Sequence, residues 1–192
     1  MRQEKGTEMS AKLNDLARTH RLESAAGNFA AVAAYCGEYA AKDPDAQAAV
    51  IATMNAAMSG GITEFFSVVF PRGARFNTAE EVRDADLDVQ FVRIDPAPSA
   101  GSPDIIVSGH AGTREVLASM FPAAEVVAGN ITADDVRGKI VAGTLPPHLV
   151  AETEAYLYAS IREFDYSRDA DLSGDELAAR LVVNPAVRVT IA

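Results

Sequence analysis

The stretch Ile105-Ile106-Val107-Ser108-Gly109-His110-Ala111-Gly112-Thr113 decides the fold of the C-terminal half of the chain. A short apolar run is followed by a turn rich in glycine and hydroxyl groups, where a helical pattern begins. The same order returns further along, where Lys139-Ile140-Val141-Ala142 precedes Gly143-Thr144-Leu145-Pro146-Pro147-His148. Strands that alternate with helices in this way predict an α/β domain with parallel pairing and right-handed crossovers.

Both turns suit an anionic ligand. The N-terminus of a helix leaves backbone N–H groups unpaired and carries a partial positive charge, so a phosphate can bind there without a basic side chain. In an open parallel sheet, both turns lie at the carboxyl ends of strands, where ligands bind. The pattern therefore predicts a phosphorylated ligand, with the N–H groups of residues 110–113 and 145–148 among its donors.

Composition and charge narrow the classes of partner. The chain has 192 residues and a formal net charge of −10, which disfavours long nucleic acids because these bind mainly through Lys and Arg. We find no apolar run that could span a bilayer and no signal-peptide pattern at the N-terminus. The single cysteine, Cys36, favours a reducing compartment and a buried core thiol. We expect a cytoplasmic protein with neither a membrane nor a long nucleic acid as partner.

A stretch with three prolines, residues 95–103, separates two regions of different pattern. Residues 1–95 predict a helical and small α+β region whose role the sequence does not indicate. Its expected helices cover residues 7–22, 25–41 and 46–58, its expected strands 65–70 and 89–94, and a capped helical turn 77–82.

Residues 104–192 predict a Rossmann-like domain with a parallel sheet. The expected strands cover residues 104–108, 125–128, 139–143, 161–166 and 187–191. The expected helices cover residues 112–120, 133–136, 145–158 and 173–180.

Three short elements of this second region are similar to those of a known family. They are Val107-Ser108-Gly109-His110, then Gly143-Thr144-Leu145-Pro146 with Leu149-Val150-Ala151-Glu152, then Leu172-Ser173-Gly174-Asp175-Glu176-Leu177. The small CRISPR-associated proteins of type III systems called Csx-sixteen carry Val-Ser-Arg-His, Gly-Thr-Leu-Pro with Leu-Ala-Ala-Glu, and Leu-Ser…Glu-Leu in this order. The resemblance covers residues 104–192 and leaves the first hundred residues outside it.

The resemblance implies a function in antiviral defence. The family is similar to ring nucleases, which degrade cyclic oligoadenylate second messengers, so it implies a Rossmann-like fold, a homodimer and a reaction without metal or cofactor. A twofold dimer suits a twofold-symmetric ring, because each subunit presents the same cleft to half of it, and cyclic tetra-adenylate is therefore the expected ligand. The sequence also holds no Cys/His cluster typical of a zinc site.

Two positions depart from the family pattern. Gly109 stands where the family has Arg, and Val116 stands where it has Trp. The missing Arg removes a bidentate phosphate donor. Arg114, one helical turn further on, can take its place if its side chain folds back to the cleft.

The candidate site residues follow from the turns and the resemblance. Cleavage of RNA without metal needs the ribose 2′-hydroxyl held in line, charge stabilised on phosphoryl oxygens, and assisted proton transfer. The catalytic candidates are Ser108, His110 and His148. The candidates for ligand binding are Gly109, Gly112, Thr113, Arg114, Gly143, Thr144, Leu145 and Glu152.

Some of these residues can have a structural role instead of a functional one. Thr144 can be an ordinary N-cap, and Gly112 can serve only a tight turn. Glu152 lies one turn after His148 and can orient it or have a purely structural role.

Two functional alternatives also remain. The first is a binding module that senses or sequesters the same messenger without cutting it. The second is an interaction protein whose Rossmann-like half is a scaffold, because a fold does not dictate a function.

Overall fold

A computed structural model describes residues 11–25, 29–40, 45–71, 73–162, 164, 169 and 172–192. The chain forms two compact units. The first unit runs to Arg93 and takes in Thr190–Ala192, and the second unit is Ile94–Val189. Both units combine helices with parallel strand pairs, which confirms the predicted α/β class.

The first unit alternates strands with helices. Strands β2, β3 and β4 are parallel neighbours in that order, and β5 is antiparallel to both β4 and β1. The elements are β1 (Ala11–Lys12), α1 (Leu13–Thr19), β2 (Arg21–Ala25), α2 (Ala30–Tyr39), β3 (Ala48–Ala52), α3 (Met54–Gly60), β4 (Glu64–Val69), α4 (Ala79–Ala85) and β5 (Asp88–Pro96).

The expectation of continuous helices before residue 58 is wrong at three places. Strand β1 lies inside the expected helix 7–22, β2 runs from the end of that helix to the start of the expected helix 25–41, and β3 lies inside the expected helix 46–58. Alanine favours a helix intrinsically, but β3 lies between two parallel strands, and its Ala49 and Ile51 are only 2% and 1% exposed. Burial in a sheet therefore overrides the local propensity. Residues 7–10 of the expected first helix lie outside the described residues.

Other expectations for the first unit are confirmed. Helix α2 lies within the expected 25–41, and β4 and β5 match the two expected strands. The capped turn at 77–82 begins α4, where the Thr78 hydroxyl accepts the N–H of Glu81 at 3.2 Å. In turn the Glu81 carboxylate accepts the N–H of Asn77 at 2.7 Å, so two backbone N–H groups at the N-terminal end of α4 are satisfied by side chains.

The core of the first unit packs α1 and α2 against the sheet. Leu13, Leu22 and Tyr35 are fully buried, and the Tyr35 hydroxyl donates to the side-chain oxygen of Asn14 at 2.6 Å. Cys36 lies in this core and is 1% exposed, as its apolar sequence context predicts. Burial raises the pKa of the Cys36 thiol to about 11.

The second unit holds the turns singled out by the sequence. Strands β9, β8, β6 and β7 are parallel neighbours in that spatial order, while β10 and β11 are antiparallel to β9. The elements are β6 (Ile105–Val107), α5 (Ala111–Met120), β7 (Glu125–Val127), α6 (Ala133–Val136), β8 (Ile140–Gly143), α7 (Pro147–Val150), β9 (Ala155–Ile161), α8 (Gly174–Arg180), β10 (Leu181–Val183) and β11 (Val187–Ile191).

Most expected elements of the second unit are confirmed, but the expected helix 145–158 is wrong. Helix α7 is a single turn, and β9 begins at Ala155, where Ala155 and Tyr156 are 1% and 0% exposed. The strand expected at 161–166 is therefore displaced, and its residues 163, 165 and 166 lie outside the described residues. Strand β10 was not expected. Within the described ranges, no helix is both long and apolar enough to cross a bilayer.

Candidate functional site

The strand order of the second unit reverses between β6 and β8. From β6 the chain crosses to β7 on one side, and it returns through α6 to β8 on the other side before continuing to β9. Right-handed crossovers place α5 and α7 on opposite faces of the sheet. Such a switch point opens a crevice at the carboxyl ends of the two strands, which is where ligands bind in open α/β sheets. Both turns predicted from the sequence lie at this edge.

The two strand ends are held against each other by backbone. Val107 and Gly143 are register partners in β6 and β8, and the Thr144 N–H donates to the Val107 carbonyl at 2.9 Å. Gly143 has a φ of 136°, and a Cβ at this position would lie 1.8 Å from the Val107 carbonyl oxygen. Gly143 therefore shapes the floor of the crevice, because only glycine fits there.

A pair of hydroxyl groups links the two turns. The Thr144 hydroxyl donates to the Ser108 hydroxyl oxygen at 3.3 Å, and the His110 N–H donates to the same oxygen at 3.2 Å. Ser108 is 4% exposed, whereas Thr144 is exposed. Since the Ser108 oxygen already accepts two hydrogen bonds, its O–H is left to donate to a bound group.

Arg114 folds back from α5 to the first turn. Its Nη1 donates to the Ser108 carbonyl at 2.6 Å, across one helical turn. This is the placement that the sequence requires if Arg114 is to compensate for the absent arginine at residue 109. Gly109 itself is exposed, and a Cβ there would have nothing within 4 Å. The first turn thus carries one guanidinium and open space beside it.

A buried tyrosine holds the second turn from below. The Tyr156 hydroxyl donates to the Gly143 carbonyl at 2.8 Å and accepts the Leu145 N–H at 2.9 Å. Tyr156 is 0% exposed, and burial raises the pKa of its hydroxyl well above the ordinary value. The phenol therefore stays neutral and fixes the backbone on both sides of Thr144.

The bond to Tyr156 changes what the second turn can offer a ligand. The sequence pattern counts the N–H groups of residues 145–148 as donors, but Leu145 already donates to Tyr156, and residues 146 and 147 are prolines. His148 is left as the one residue of this group with an N–H to offer. The Leu145 side chain is buried, so this residue has a packing role.

The two histidines lie at the starts of the two helices. His110 is the N-cap residue of α5 and His148 belongs to α7, and both are exposed. Among the residues that the structure describes, neither imidazole forms a hydrogen bond. Both rings are therefore exposed and free to bind a ligand at the helix starts that follow β6 and β8.

Other predicted site residues have structural contacts. Thr144 does not cap α7, because Pro146 occupies the N-cap position. Glu152 lies beyond the end of α7, and its carboxylate accepts from Arg137 Nε at 3.1 Å, so its predicted alignment with His148 on one helix face does not form.

Two predicted residues in the first turn of α5 have packing roles. A Cβ at Gly112 would lie 3.0 Å from the Leu177 side chain, so the lack of a side chain at Gly112 lets α5 pack closely on α8. Thr113 is buried in the same first turn of α5.

Two residues of this site were missed by sequence reasoning. Val107 contributes only its carbonyl group, which no sequence pattern reveals. The sequence pattern predicts a helix at Tyr156, and a tyrosine inside an apolar run gives no sign that its hydroxyl binds a distant turn. In the described part of the chain, no group of three or more His, Cys, Asp or Glu side chains is placed to hold a metal ion.

Comparison of the chain with protein-family models, with curated proteins and with solved structures finds no match.

Proposed function

We propose that the second unit binds a cyclic oligoadenylate in the crevice between β6 and β8 and cleaves it without a metal ion. One observation carries the proposal: Ser108, Thr144 and Arg114 converge where two parallel strands end at a switch point. Hydroxyl and guanidinium donors at such an edge suit a phosphate group. The identity of the ligand rests on the resemblance of residues 104–192 to the Csx-sixteen family.

The reaction that this site can support is an internal transesterification. The ribose 2′-oxygen forms a bond to the adjacent phosphorus, the bond from phosphorus to the 5′-oxygen breaks, and a 2′,3′-cyclic phosphate results. The 2′-hydroxyl loses a proton to a base, and the leaving 5′-oxygen takes one up. His110 and His148 supply these two transfers, while Ser108 and Arg114 stabilise charge on the phosphoryl oxygens.

The proposal includes a symmetric assembly in the cytoplasm. A single crevice contacts one part of a cyclic tetranucleotide, and a twofold dimer presents an identical crevice to the opposite part. Cyclic tetra-adenylate is therefore the ring size that we propose.

The decisive experiment incubates the full chain with cyclic tri-, tetra- and hexa-adenylate in EDTA and analyses the products by mass spectrometry. We expect cyclic tetra-adenylate to be converted to linear di-adenylate with a 2′,3′-cyclic phosphate end. Recovery of all three rings intact, with no binding by calorimetry, would contradict the proposal and favour a scaffold.

Site variants test the assigned residues. Ser108→Ala, His110→Ala and Arg114→Gln each remove one group of the first turn, and each is expected to lower turnover at least about tenfold. Arg137→Gln is the matched control, because it removes an exposed guanidinium whose partners are Asp134 and Glu152. Equal turnover in Ser108→Ala and the wild type would remove Ser108 from the mechanism.

A second candidate function is binding without cleavage. It is favoured by Gly109, where the family has the arginine that this chain lacks, and by the absence of any described group that orients either imidazole. Tight binding of cyclic tetra-adenylate with intact ligand recovered would assign this function to the chain.

A further inference from the structure

The first unit contains a cavity that the proposed function does not use. It has a volume of about 660 Å³ and lies between the start of α2 and the segment that follows β4. This volume falls within the range of about 300–1,000 Å³ that is typical of small-molecule sites. Its described lining residues are Phe29–Val32, Phe70, Pro71 and Gly73–Asn77.

Three phenylalanine rings line this cavity in a connected row. Phe29 stacks on Phe70 with ring centroids 4.8 Å apart and planes inclined by 26°, and Phe70 contacts Phe76 at 5.9 Å. Phe70 and Phe76 are anchored on the core of the unit, while Phe29 is 41% exposed. The row is therefore fixed at its inner end and offers the outer face of Phe29 to a flat aromatic ring.

The same wall carries polar groups that suit an anion and a heterocycle. Arg75 is exposed and forms no ion pair with any described residue. Asn77 lines the same cavity, and its carboxamide forms no hydrogen bond with any described residue. A carboxamide presents a donor and an acceptor together, which matches the edge of a purine.

We propose that this cavity is a binding site for a purine nucleoside monophosphate. The base stacks on Phe29, Asn77 pairs with the base edge, and the Arg75 guanidinium binds the phosphate. Stacking supplies most of the affinity, because aromatic–base stacking is effective for any base, and the arginine supplies the preference for a phosphorylated ligand.

The inference does not rest on the proposed function, since it uses only residues of the first unit. The test is calorimetric titration of the full chain with AMP and with adenosine. We expect saturable AMP binding and at least about tenfold weaker binding of adenosine, which lacks the phosphate. A chain that binds neither compound at millimolar concentration overturns the inference.

Variants separate this cavity from the crevice of the second unit. Phe29→Leu keeps apolar volume but removes the ring, and Arg75→Gln removes the charge. Both are expected to weaken AMP binding about tenfold, and Arg75→Gln is also expected to abolish the preference for AMP over adenosine. AMP binding that is equal in both variants and the wild type overturns the inference.

Two controls complete the design. Arg18→Gln removes another exposed arginine of the first unit, one paired with Asp15, and is expected to leave AMP binding unchanged. Ser108→Ala is likewise expected to leave it unchanged, and a loss of AMP binding in that variant assigns the binding to the second unit and overturns the inference. Cleavage of cyclic tetra-adenylate by Phe29→Leu reports on the proposed function separately.

Discussion

Val107 and Gly143 approach each other so closely that no side-chain atom fits between them. A Cβ on Gly143 would lie 1.8 Å from the Val107 carbonyl oxygen, and the φ of 136° at Gly143 already disfavours every residue with a side chain. The carbonyl cannot move freely, because it accepts the Thr144 N–H at 2.9 Å. The end of β6 and the turn after β8 are therefore one rigid element.

Gly143→Ala is expected to lower the free energy of unfolding by at least about 3 kcal/mol, because it combines backbone strain with a displaced strand end. Chemical denaturation followed by circular dichroism measures the loss. Gly109→Ala is the matched control: it lies on the neighbouring turn in open space, and a change below about 1 kcal/mol is expected. Similar losses in the two variants would show that the Val107 contact is not decisive.

Tyr156→Phe is expected to destabilise the chain by about 1–3 kcal/mol, because the buried Leu145 N–H and the Gly143 carbonyl both lose their hydrogen bond to the phenol. It is also expected to lower turnover of cyclic tetra-adenylate, since the backbone around Thr144 loses its anchor. Denaturation and the cleavage assay together measure both effects.

Tyr35→Phe serves as its control in the other unit. The Tyr35 hydroxyl donates to Asn14 and is far from the turns in sequence, so its loss is expected to reduce stability and leave turnover unchanged. If both tyrosine variants lost turnover in proportion to stability, Tyr156 would have no positioning role.

The strand–turn–helix motifs could be predicted from the sequence because their signals are local. Apolar runs such as Ile105–Val107 followed by glycine and hydroxyl residues specify a strand and a turn within a few positions. Strand β3 could not be predicted, because Ala48–Ala52 has helical propensity and becomes a strand only through its two parallel neighbours. Strand β9 could not be predicted either, because its residues follow a single helical turn and continue the apolar pattern of the expected helix 145–158.

In the candidate site too, residues that local sequence patterns indicate could be predicted, and residues whose role depends on a distant contact could not. The sequence predicts Ser108, His110 and Thr144 as site residues because each lies in a turn that directly follows an apolar strand and is rich in glycine and hydroxyl groups. The contribution of Tyr156 depends on a hydrogen bond between a strand and a turn eleven residues earlier in the chain, which residue patterns do not encode. The strand order that creates the crevice is also a property of the sheet and not of any one segment.

The buried thiol of Cys36 is expected to make stability fall at alkaline pH. Its pKa is raised from 9.0 to about 11 in the folded chain, so the unfolded thiol loses its proton first. The contribution to stability is complete below pH 9 and is lost as the pH rises toward 11. Denaturation at a series of pH values measures this, and Cys36→Ala is expected to give a shallower decline over that window. Equal slopes in the two proteins would contradict the expectation.

Gly109→Arg tests whether the missing guanidinium limits the proposed reaction. A side chain at residue 109 enters open space, and its φ lies outside the positive range that only glycine tolerates, so the fold is expected to accept it with a change below about 1 kcal/mol. An added charge-assisted hydrogen bond to a phosphate corresponds to an increase of about 10- to 100-fold in kcat/KM for cyclic tetra-adenylate. Product analysis in EDTA measures the gain, with Gly109→Ala as the variant that alters the backbone without adding charge. If Gly109→Arg cleaves no faster than Gly109→Ala, the phosphate of the ligand does not bind at the first turn. That result would also contradict the catalytic roles assigned to Ser108 and Arg114.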